Sequence, residues 1–260
     1  MSLRTTFKKN LPWPFLYLYR KIYYFPKDFS AACGFIFHST KSPTTFFQRV
    51  GFVYQCYRIT YFVDCPHTEH EIITVARTIL NLGSGVPGVV AEAGAFHGGS
   101  TAKFSLVAKL CGRELAVFDS FEGMPVNNEV HGKSIYNREH HFPKGSHAVS
   151  LDEVTHNVAT YGDSSRTTFY KGWFENTLPT FTKPVALALI NADLVGSTKT
   201  CLKYFYPLLS KGGIIYSQDA HFPWIIEVLE SNTFWQNEMH VQKPKMDDLG
   251  SSKLVAIHPY

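Results

Sequence analysis

An apolar run that ends in an acid and a glycine-rich turn constrains the fold of this chain more than any other feature. Residues 89–100 read Val-Val-Ala-Glu-Ala-Gly-Ala-Phe-His-Gly-Gly-Ser. Glycine lets backbone approach a ligand closely, and a helix that begins after the turn favours negative charge at its N-terminus. A second apolar run ends at Asp119, 27 positions beyond Glu92, which is the distance that one β-α unit covers. The two acids therefore predict adjacent parallel strands with polar carboxyl ends.

The same two motifs predict a pocket for a nucleoside. An acid at the end of the second strand can accept both ribose hydroxyls. A dinucleotide fingerprint would need glycine at positions 94, 96 and 99, and position 96 is Phe. S-adenosylmethionine, which has a ribose and an adenine but no phosphate, fits this turn better than a pyrophosphate does. An ordinary α/β turn with helpful glycines is the alternative interpretation.

Strand and helix patterns alternate from residue 67 onward. Strands are predicted at residues 88–92, 114–119, 167–171, 185–190, 214–217 and 253–257, and helices at 68–82, 98–110, 151–161, 196–209 and 223–234. This alternation predicts a doubly wound, mostly parallel, Rossmann-like α/β sheet with helices on both faces. Ligands of such sheets bind outside the carboxyl ends of the strands. Five predicted strand ends should therefore converge on one crevice, with Glu92, Asp119, Gly172, Asn191 and Gln218-Asp219.

Residues 1–66 are predicted to be an aromatic N-terminal extension, irregular and rich in turns, outside a main domain of residues 67–260. The longest uncharged part, residues 10–19, is too short to span about 30 Å of hydrocarbon as a helix. No transmembrane segment is therefore expected. The favoured interpretation is a lid or a subunit contact that would make a homo-oligomer. Attachment to a membrane interface through Trp13, the tyrosines and the lysines is the alternative.

Charge and cysteine usage restrict partners and compartment. The net charge of +4 is modest and no long basic stripe is present, so no nucleic-acid partner is expected. The five cysteines are scattered and form no C-x-x-C pair. A reduced setting is the simpler interpretation, and the chain is expected to be cytoplasmic.

Four sequence blocks carry a resemblance to a known family. They are residues 92–99, 119–125 (Asp-Ser-Phe-Glu-Gly-Met-Pro), 171–179 (Lys-Gly-Trp-Phe-Glu-Asn-Thr-Leu-Pro) and 191–198, the last leading to Tyr206-Pro207, Gly212-Gly213 and Gln218-Asp219. Over about residues 68–230 the chain resembles the macrocin O-methyltransferase (TylF-like) family of class I enzymes that use S-adenosylmethionine. The resemblance implies a methyltransferase domain at 67–260 that methylates hydroxyls of sugars or other secondary metabolites.

The resemblance also implies which residues bind the cofactor. The first turn would line its methionine end, Asp119 and its neighbours would hold the ribose, and the third block would border the adenine. The implied residues are Glu92, Gly94, Ala95, Phe96, Ser100, Asp119, Ser120, Phe121, Gly172 and Trp173. For Trp173 a plain core aromatic is the alternative, and for Ser100 an ordinary residue of the first helical turn.

This chain departs from the family at its metal site. Family members carry an Asp after strand 4 and an Asp-Asp pair after strand 5, which bind a divalent metal, normally Mg²⁺. Here the three positions are Asn191, Gln218 and Asp219. Mg²⁺ favours charged oxygen ligands, so the loss of two carboxylates should lower its affinity sharply. Mg²⁺ at these three residues stays an alternative to a metal-free site.

Without a metal another group must take the proton of the acceptor hydroxyl. The candidate bases are Asp193, Asp219 and His221, since an imidazole titrates near neutrality and burial can raise the pKa of a carboxylate. A small-molecule acceptor is expected under the histidine-rich loop 123–148. Two other hypotheses are kept: a homologue that binds the cofactor for a regulatory or partner-binding role without methyl transfer, and the same fold with a different reaction.

Overall fold

A seven-stranded sheet organises the chain in the computed structural model, which describes the backbone of residues 13–259 and the side chains of residues 22–259. The strands are β1 Val89–Ala93, β2 Leu115–Asp119, β3 Thr167–Lys171, β4 Val185–Ile190, β5 Leu209–Ser217, β6 Lys245–Asp247 and β7 Val255–His258. Their order is β3-β2-β1-β4-β5-β7-β6. Strands β1 to β5 are parallel, whereas β7 pairs antiparallel with both β5 and β6. The predicted mostly parallel Rossmann-like sheet is confirmed.

Helices cover both faces of this sheet. They are α1 Trp13–Phe37, α2 Phe46–Phe62, α3 Glu69–Leu82, α4 Gly99–Leu110, α5 Leu151–Tyr161, α6 Phe174–Thr177, α7 Val195–Leu208 and α8 Pro223–Glu230. The chain moves from β1 outward to β3, then returns to β4 beside β1. That reversal creates the switch point at which α/β sheets bind ligands. Ala93 of β1 pairs with both Phe118 and Ile190, so Gly94, Asp119 and Asn191 end at one edge.

Local sequence signals begin several helices where they were predicted. Thr68 and Glu71 form a reciprocal capping box at the start of α3. Ser150 accepts a hydrogen bond from the backbone nitrogen of Glu153 at the start of α5. Each satisfies a backbone donor that the first helical turn leaves unpaired, and such caps stabilise a helix by about 1 kcal/mol.

Alternating residues of the central strands feed two apolar cores. Every residue of β1 and β4 is buried. Leu187 and Leu189 of β4 pack with the cluster under α3 and α4, while Ala188 and Ile190 pack with the cluster on the opposite face. Period-two alternation between two covered faces explains why these strands are continuous apolar runs.

The expectation that residues 1–66 are irregular is wrong, because α1 and α2 occupy most of this segment. A second capping box, between Thr45 and Gln48, begins α2, and Pro26 lies inside α1. Phe35 and Phe52 are buried, with ring centroids 5.0 Å apart, in the same core cluster as α3 and β1. The aromatic residues that suggested an extension therefore include ones that complete the main core. Among the described helices, none is both long and apolar enough to cross a membrane.

Three boundaries in the second half also differ from prediction. Strand β5 begins at Leu209, so Gly212 and Gly213 lie within it, where a Cβ on Gly213 would be 2.9 Å from the Ala186 carbonyl oxygen. Helix α8 ends at Glu230, and a separate π-turn covers Phe234–Glu238. Strand β6 was not predicted, since three residues are too few to show alternation.

Candidate active site

A cavity of about 410 Å³ opens at the carboxyl ends of β1, β2, β4 and β5. Its volume lies in the range of small-molecule sites. Three groups of residues line it. The first follows β1 to β3 (Gly94, Phe96, Asp119, Ser120, Trp173), the second follows β4 and β5 (Asn191, Ala192, Asp193, Asp219, His221), and the third lies in loop 123–148 (His140, Phe142, His147). A crevice thus exists at the predicted edge and residues of the predicted loop line it, but of the predicted strand-end residues only Asp119, Asn191 and Asp219 do so.

Gly94 is the residue that lets the ends of β1 and β4 meet. Its φ is +92°, and a Cβ at this position would lie 2.0 Å from the carbonyl oxygen of Asn191. No other residue fits such a distance without moving the β4 end. Phe96, with φ +50°, continues the turn, and its ring contacts that of His147 at a centroid distance of 5.6 Å.

Asp119 joins the first turn to the second. Its Oδ2 accepts a 2.7 Å hydrogen bond from the backbone nitrogen of Ala95, and its Oδ1 accepts one of 2.7 Å from that of Phe121. Each carboxylate oxygen has two lone pairs, so both keep acceptor capacity toward the cavity that Asp119 lines. A ribose diol, which donates two hydrogen bonds, fits this acceptor pair, and the open backbone at Gly94 fits a close approach of the same ligand.

Five of the ten predicted cofactor residues line the cavity: Gly94, Phe96, Asp119, Ser120 and Trp173. The other five do not, namely Glu92, Ala95, Ser100, Phe121 and Gly172. Three of these five bond to Asp119: the backbone nitrogens of Ala95 and Phe121 donate to its carboxylate, and the Gly172 nitrogen donates to its carbonyl at 3.0 Å. Direct contact of these five with a cofactor stays a prediction.

Glu92 is fully buried behind the first turn. Its Oε1 accepts a 2.5 Å hydrogen bond from the hydroxyl of Ser100, in the first turn of α4. Burial raises the pKa of Glu92 to about 7, against the lowering effect of the hydroxyl hydrogen bonds. The side chain therefore ties β1 to α4 and changes its charge near neutral pH.

Two carboxylates lie together after β4 and β5. Oδ2 of Asp219 accepts hydrogen bonds from the backbone nitrogens of Ala192 at 2.6 Å and Asp193 at 3.0 Å. Asp193 adopts φ +60°, and its carbonyl accepts a 2.9 Å hydrogen bond from the indole of Trp224. Its own carboxylate lines the cavity and is 19% exposed. Burial and the charge of Asp219 raise the pKa of Asp193 well above its ordinary value.

His221 lines the same cavity but is a weak base. Burial, with the positive charges of Lys253 and the neighbouring His140, lowers the pKa of His221 to about 3. The imidazole is therefore neutral near pH 7 and can form hydrogen bonds in either direction, depending on its tautomer. Its low pKa makes it a poorer proton acceptor than Asp193.

The predicted metal residues do not form one donor set. Asn191 and Asp219 line the cavity, but Gln218 does not, and its side-chain nitrogen donates to Oε2 of Glu71 at 3.3 Å. Oδ2 of Asp219 already accepts two backbone hydrogen bonds. Within residues 22–259 no cluster of three or more acid, histidine or cysteine side chains has metal-binding geometry. Of the three predicted ligands, only one amide and one carboxylate, whose Oδ2 is already engaged, reach the cavity, so the predicted set does not fit a hard, strongly hydrated ion such as Mg²⁺.

Several residues of the site were not predicted from the sequence. Lys253 comes from the segment before β7, and Asp64 and Pro66 follow α2. Glu129 anchors loop 123–148, since its two carboxylate oxygens accept hydrogen bonds from the backbone nitrogens of Val195 (2.7 Å) and Gly196 (2.9 Å). A carboxylate at the start of α7 is favourable. In the sequence, the only indication of these residues was their position near predicted strand or helix ends.

The family model of macrocin-O-methyltransferase (TylF) matches residues 70–248. A tetracenomycin-C derivative 4'-O-methyltransferase from Streptomyces olivaceus, whose named substrate carries a dimethoxy-rhamnosyl group, is 37% identical over 173 residues, which are 60% of this chain and 64% of that protein. Mycinamicin III 3''-O-methyltransferase from Micromonospora griseorubida is 31% identical over 178 residues, 62% and 68% of the two chains. The match thus covers less than two thirds of the first relative's length.

Two solved structures share the fold. The O-methyltransferase NovP aligns with a TM-score of 0.60 and 23% identity over 74% of this chain and 81% of its own. The calicheamicin methyltransferase CalS11 aligns with a TM-score of 0.59 and 18% identity over 90% and 91% of the two chains. Because the family model matches more than half of its residues, the chain belongs to the macrocin O-methyltransferase (TylF) family.

Proposed function

We propose that this protein transfers a methyl group from S-adenosylmethionine to a hydroxyl of a small-molecule acceptor. One observation carries the proposal: the acceptor pair of Asp119 and the carboxylate of Asp193 open into the same cavity. The first suits a ribose and the second suits a hydroxyl that must lose a proton. The family membership supports the same reaction class.

The cofactor half of the cavity is built mainly from backbone. Gly94 removes the side chain that would block approach to the β1 turn, and Asp119 holds that turn through Ala95. Trp173 offers an aromatic wall on the β3 side. S-adenosylmethionine supplies a methyl group on a positively charged sulfur, which needs no acid to leave. The protein's task here is orientation, which can supply much of the rate enhancement of a direct displacement.

The acceptor half supplies the base. The proton of the acceptor hydroxyl passes to the carboxylate of Asp193 as the oxygen–carbon bond forms and the sulfur–carbon bond breaks. A carboxylate with a raised pKa is a stronger proton acceptor than an ordinary one. Asp219 positions it through the two backbone nitrogens of Ala192 and Asp193. No step in this scheme needs Mg²⁺, and the three residues predicted as its ligands do not form one donor set.

The acceptor class follows from the cavity wall and from the relatives. Aromatic rings of Phe142 and Phe222 can pack against the carbon face of a sugar, and His140, His147 and Lys253 can bond its hydroxyls. The names of two relatives give a rhamnosyl-bearing tetracenomycin and mycinamicin III as their substrates. A deoxysugar of a secondary metabolite is therefore the proposed acceptor. A cytoplasmic location and the lack of a nucleic-acid partner remain parts of this proposal.

Calorimetry and product mass test the proposal together. The purified full chain is titrated with S-adenosylmethionine, with Mg²⁺ and then with EDTA, and incubated with a panel of deoxysugar glycosides. We expect binding that ignores the metal and a product heavier by one methylene. Binding without any methylated product across the panel would favour the regulatory alternative. Absence of binding in both conditions would overturn the cofactor assignment.

A further inference from the structure

The charge of this chain is divided unequally along the sequence. Residues 1–62 carry nine lysines and arginines and one acid, Asp28, for a formal charge of +8, whereas residues 63–260 carry 16 basic and 20 acidic residues, for −4. Asp28 is buried, and its Oδ1 accepts a 2.8 Å hydrogen bond from the backbone nitrogen of His70 at the start of α3. The one acid of this segment is thus buried inside the protein, and the formal charge of the rest of the segment is basic.

Large apolar side chains on α1 face solvent. Ile22, Phe25 and Phe29 are 68%, 59% and 56% exposed. The rings of Phe25 and Phe29 stack on each other, 5.6 Å apart, and Lys27 between them in sequence is exposed. Contiguous exposed aromatic surface of this kind marks an interaction site rather than ordinary scatter.

Helix α2 adds a second row of the same composition. Phe47, Tyr54 and Tyr61 are 81%, 64% and 57% exposed. They are seven residues apart, a spacing that puts them on one side of a helix. Phe46 next to this row packs against Phe37, the last residue of α1, at a ring distance of 5.8 Å. We call the exposed side chains Ile22, Phe25, Lys27, Phe29, Phe37, Phe47, Tyr54 and Tyr61 the aromatic-basic face.

We propose that the aromatic-basic face docks on the surface of an anionic lipid bilayer. Phenylalanine, tyrosine and tryptophan insert at the headgroup level, and lysines and arginines are attracted to anionic lipids, by about 1 kcal/mol each near the surface. The face carries seven apolar or aromatic side chains and Lys27, it belongs to a segment with a formal charge of +8, and the acid that would oppose this charge is buried. This docking is independent of the methyl-transfer reaction proposed above.

The charge distribution favours a bilayer over a second copy of the chain. A symmetric dimer through this face would bring the same segment of each copy together, and so +8 against +8. The face contains one basic residue, Lys27, among seven apolar or aromatic ones, so it lacks the continuous basic stripe that a nucleic-acid backbone would require. An anionic bilayer would attract the basic N-terminal segment and bury the aromatic rings of the face.

Vesicle flotation with the full chain tests this docking. One set of vesicles is phosphatidylcholine alone, and the other contains phosphatidylglycerol at roughly one lipid in three, within the range that gives a strongly negative surface. We expect the protein to float with the anionic vesicles and not with the neutral ones. Salt at roughly 0.5 M, which screens surface charge, should release most of it.

Three variants test whether vesicle binding depends on the aromatic-basic face or only on positive charge anywhere on the protein. Phe25→Ser with Phe29→Ser should weaken partition into anionic vesicles by at least about tenfold, because both rings are lost from the interface. Lys27→Glu should weaken it several-fold, whereas Lys211→Glu, an exposed lysine at β5, should change it little. The thermal unfolding midpoint of each variant, measured alongside, shows whether it is folded. The substituted side chains are exposed, so midpoints close to the wild-type value are expected.

Four results would overturn the proposal. They are failure of the wild-type chain to float with anionic vesicles, equal flotation with neutral vesicles, unchanged flotation of the folded double variant, and equal losses for Lys27→Glu and Lys211→Glu. Light scattering and binding of a labelled oligonucleotide identify the occupant in that case. A mass that doubles with concentration and is lost in the double variant would assign the face to a second copy. Oligonucleotide binding without vesicle binding would assign it to nucleic acid.

Discussion

The two halves of the cavity are built in different ways. The half after β1 and β2 depends on backbone: Gly94 makes room, and Asp119 holds the backbone nitrogens of Ala95 and Phe121. The half after β4 and β5 depends on side chains of distant origin, with Asp193 and Asp219 next to Lys253 and the loop histidines. Backbone geometry tolerates little substitution, whereas side chains can be exchanged without moving the fold. Asn191, where the resemblance implied a carboxylate, lies in this second half.

The largest expected effect tests whether backbone geometry controls ligand binding in the half of the cavity after β1 and β2. Gly94→Ala places a methyl group 2.0 Å from the Asn191 carbonyl oxygen at φ +92°. We expect loss of S-adenosylmethionine binding in calorimetry and a stability loss of about 3 kcal/mol or more in denaturant unfolding. Gly112→Ala is the matched control, since φ is +71° there but nothing lies within 4 Å of the added Cβ. It should cost about 1 kcal/mol. Equal costs for the two variants would contradict the steric argument.

The second test addresses the side-chain half. Asp193→Asn should lower kcat about 100-fold or more while S-adenosylmethionine affinity changes little, because the base is removed and the cofactor half is intact. His221→Asn should lower kcat less, since the lowered pKa of His221 makes it a weak base. Steady-state kinetics and calorimetry give both numbers. A larger effect at His221 than at Asp193 would transfer the role of base to the imidazole.

The pH dependence of kcat tests the same assignment of Asp193 as the base, because it predicts the direction in which kcat changes with pH. Because the pKa of Asp193 is raised, the carboxylate is protonated and inactive at low pH, and kcat should rise as pH rises through that pKa. The Asp193→Asn variant should lose this limb. A limb that persists in the variant would belong to another group, with Asp219, whose pKa is also raised, as the first to examine.

The third test concerns stability and Glu92. Below pH 4.5 this side chain is protonated in both the folded and the unfolded chain, and between 4.5 and about 7 only the unfolded chain ionises. The free energy of unfolding should therefore fall by about 3 kcal/mol from this group as pH rises from 4.5 to 8. Glu92→Gln should remove that fall in urea unfolding measured at several pH values. Parallel curves for the two proteins would mean that Glu92 ionises normally in the folded state.

The smallest expected effect is at Asp119. Asp119→Asn keeps one acceptor oxygen and loses the other, so S-adenosylmethionine should bind about tenfold more weakly, or about 1.4 kcal/mol. Asp163→Asn, just after α5 and outside the cavity lining, is the control and should leave binding unchanged. Unchanged binding in Asp119→Asn would show that the ribose is held by other groups.

The same contrast explains how much could be predicted from the sequence. The first half is local in sequence: the β1 turn and Asp119 each show in a few consecutive residues, and each was predicted, as was the Thr68–Glu71 capping box outside the cavity. For the second half the sequence predicted only candidate residues, because the geometry there depends on partners far along the chain. The side chain of Gln218 is directed by Glu71, 147 residues earlier, and no local pattern contains that information.

The N-terminal helices were missed for a related reason. Their aromatic residues and prolines look irregular because α1 and α2 are apolar on more than one side: one side packs on α3 and α4 and another faces solvent. A simple amphipathic period is therefore weak in this segment. The packing that reveals these helices is tertiary, as in the contact between Phe35 and Phe52.

One buried group links the N-terminal helices to the cavity. Nζ of Lys103, fully buried in α4, donates to Thr60 of α2 at 2.6 Å and to Glu69 of α3 at 2.9 Å. Loop residues Asp64 and Cys65 press against Gly99, where a Cβ would be 2.8 Å from that of Cys65. Since a buried charge cannot lose its partners cheaply, α2 and α4 should open as one cooperative unit in hydrogen exchange. If this protein docks through α1 and α2, the docked surface therefore belongs to the same cooperative unit as α4, the helix that begins after the β1 turn.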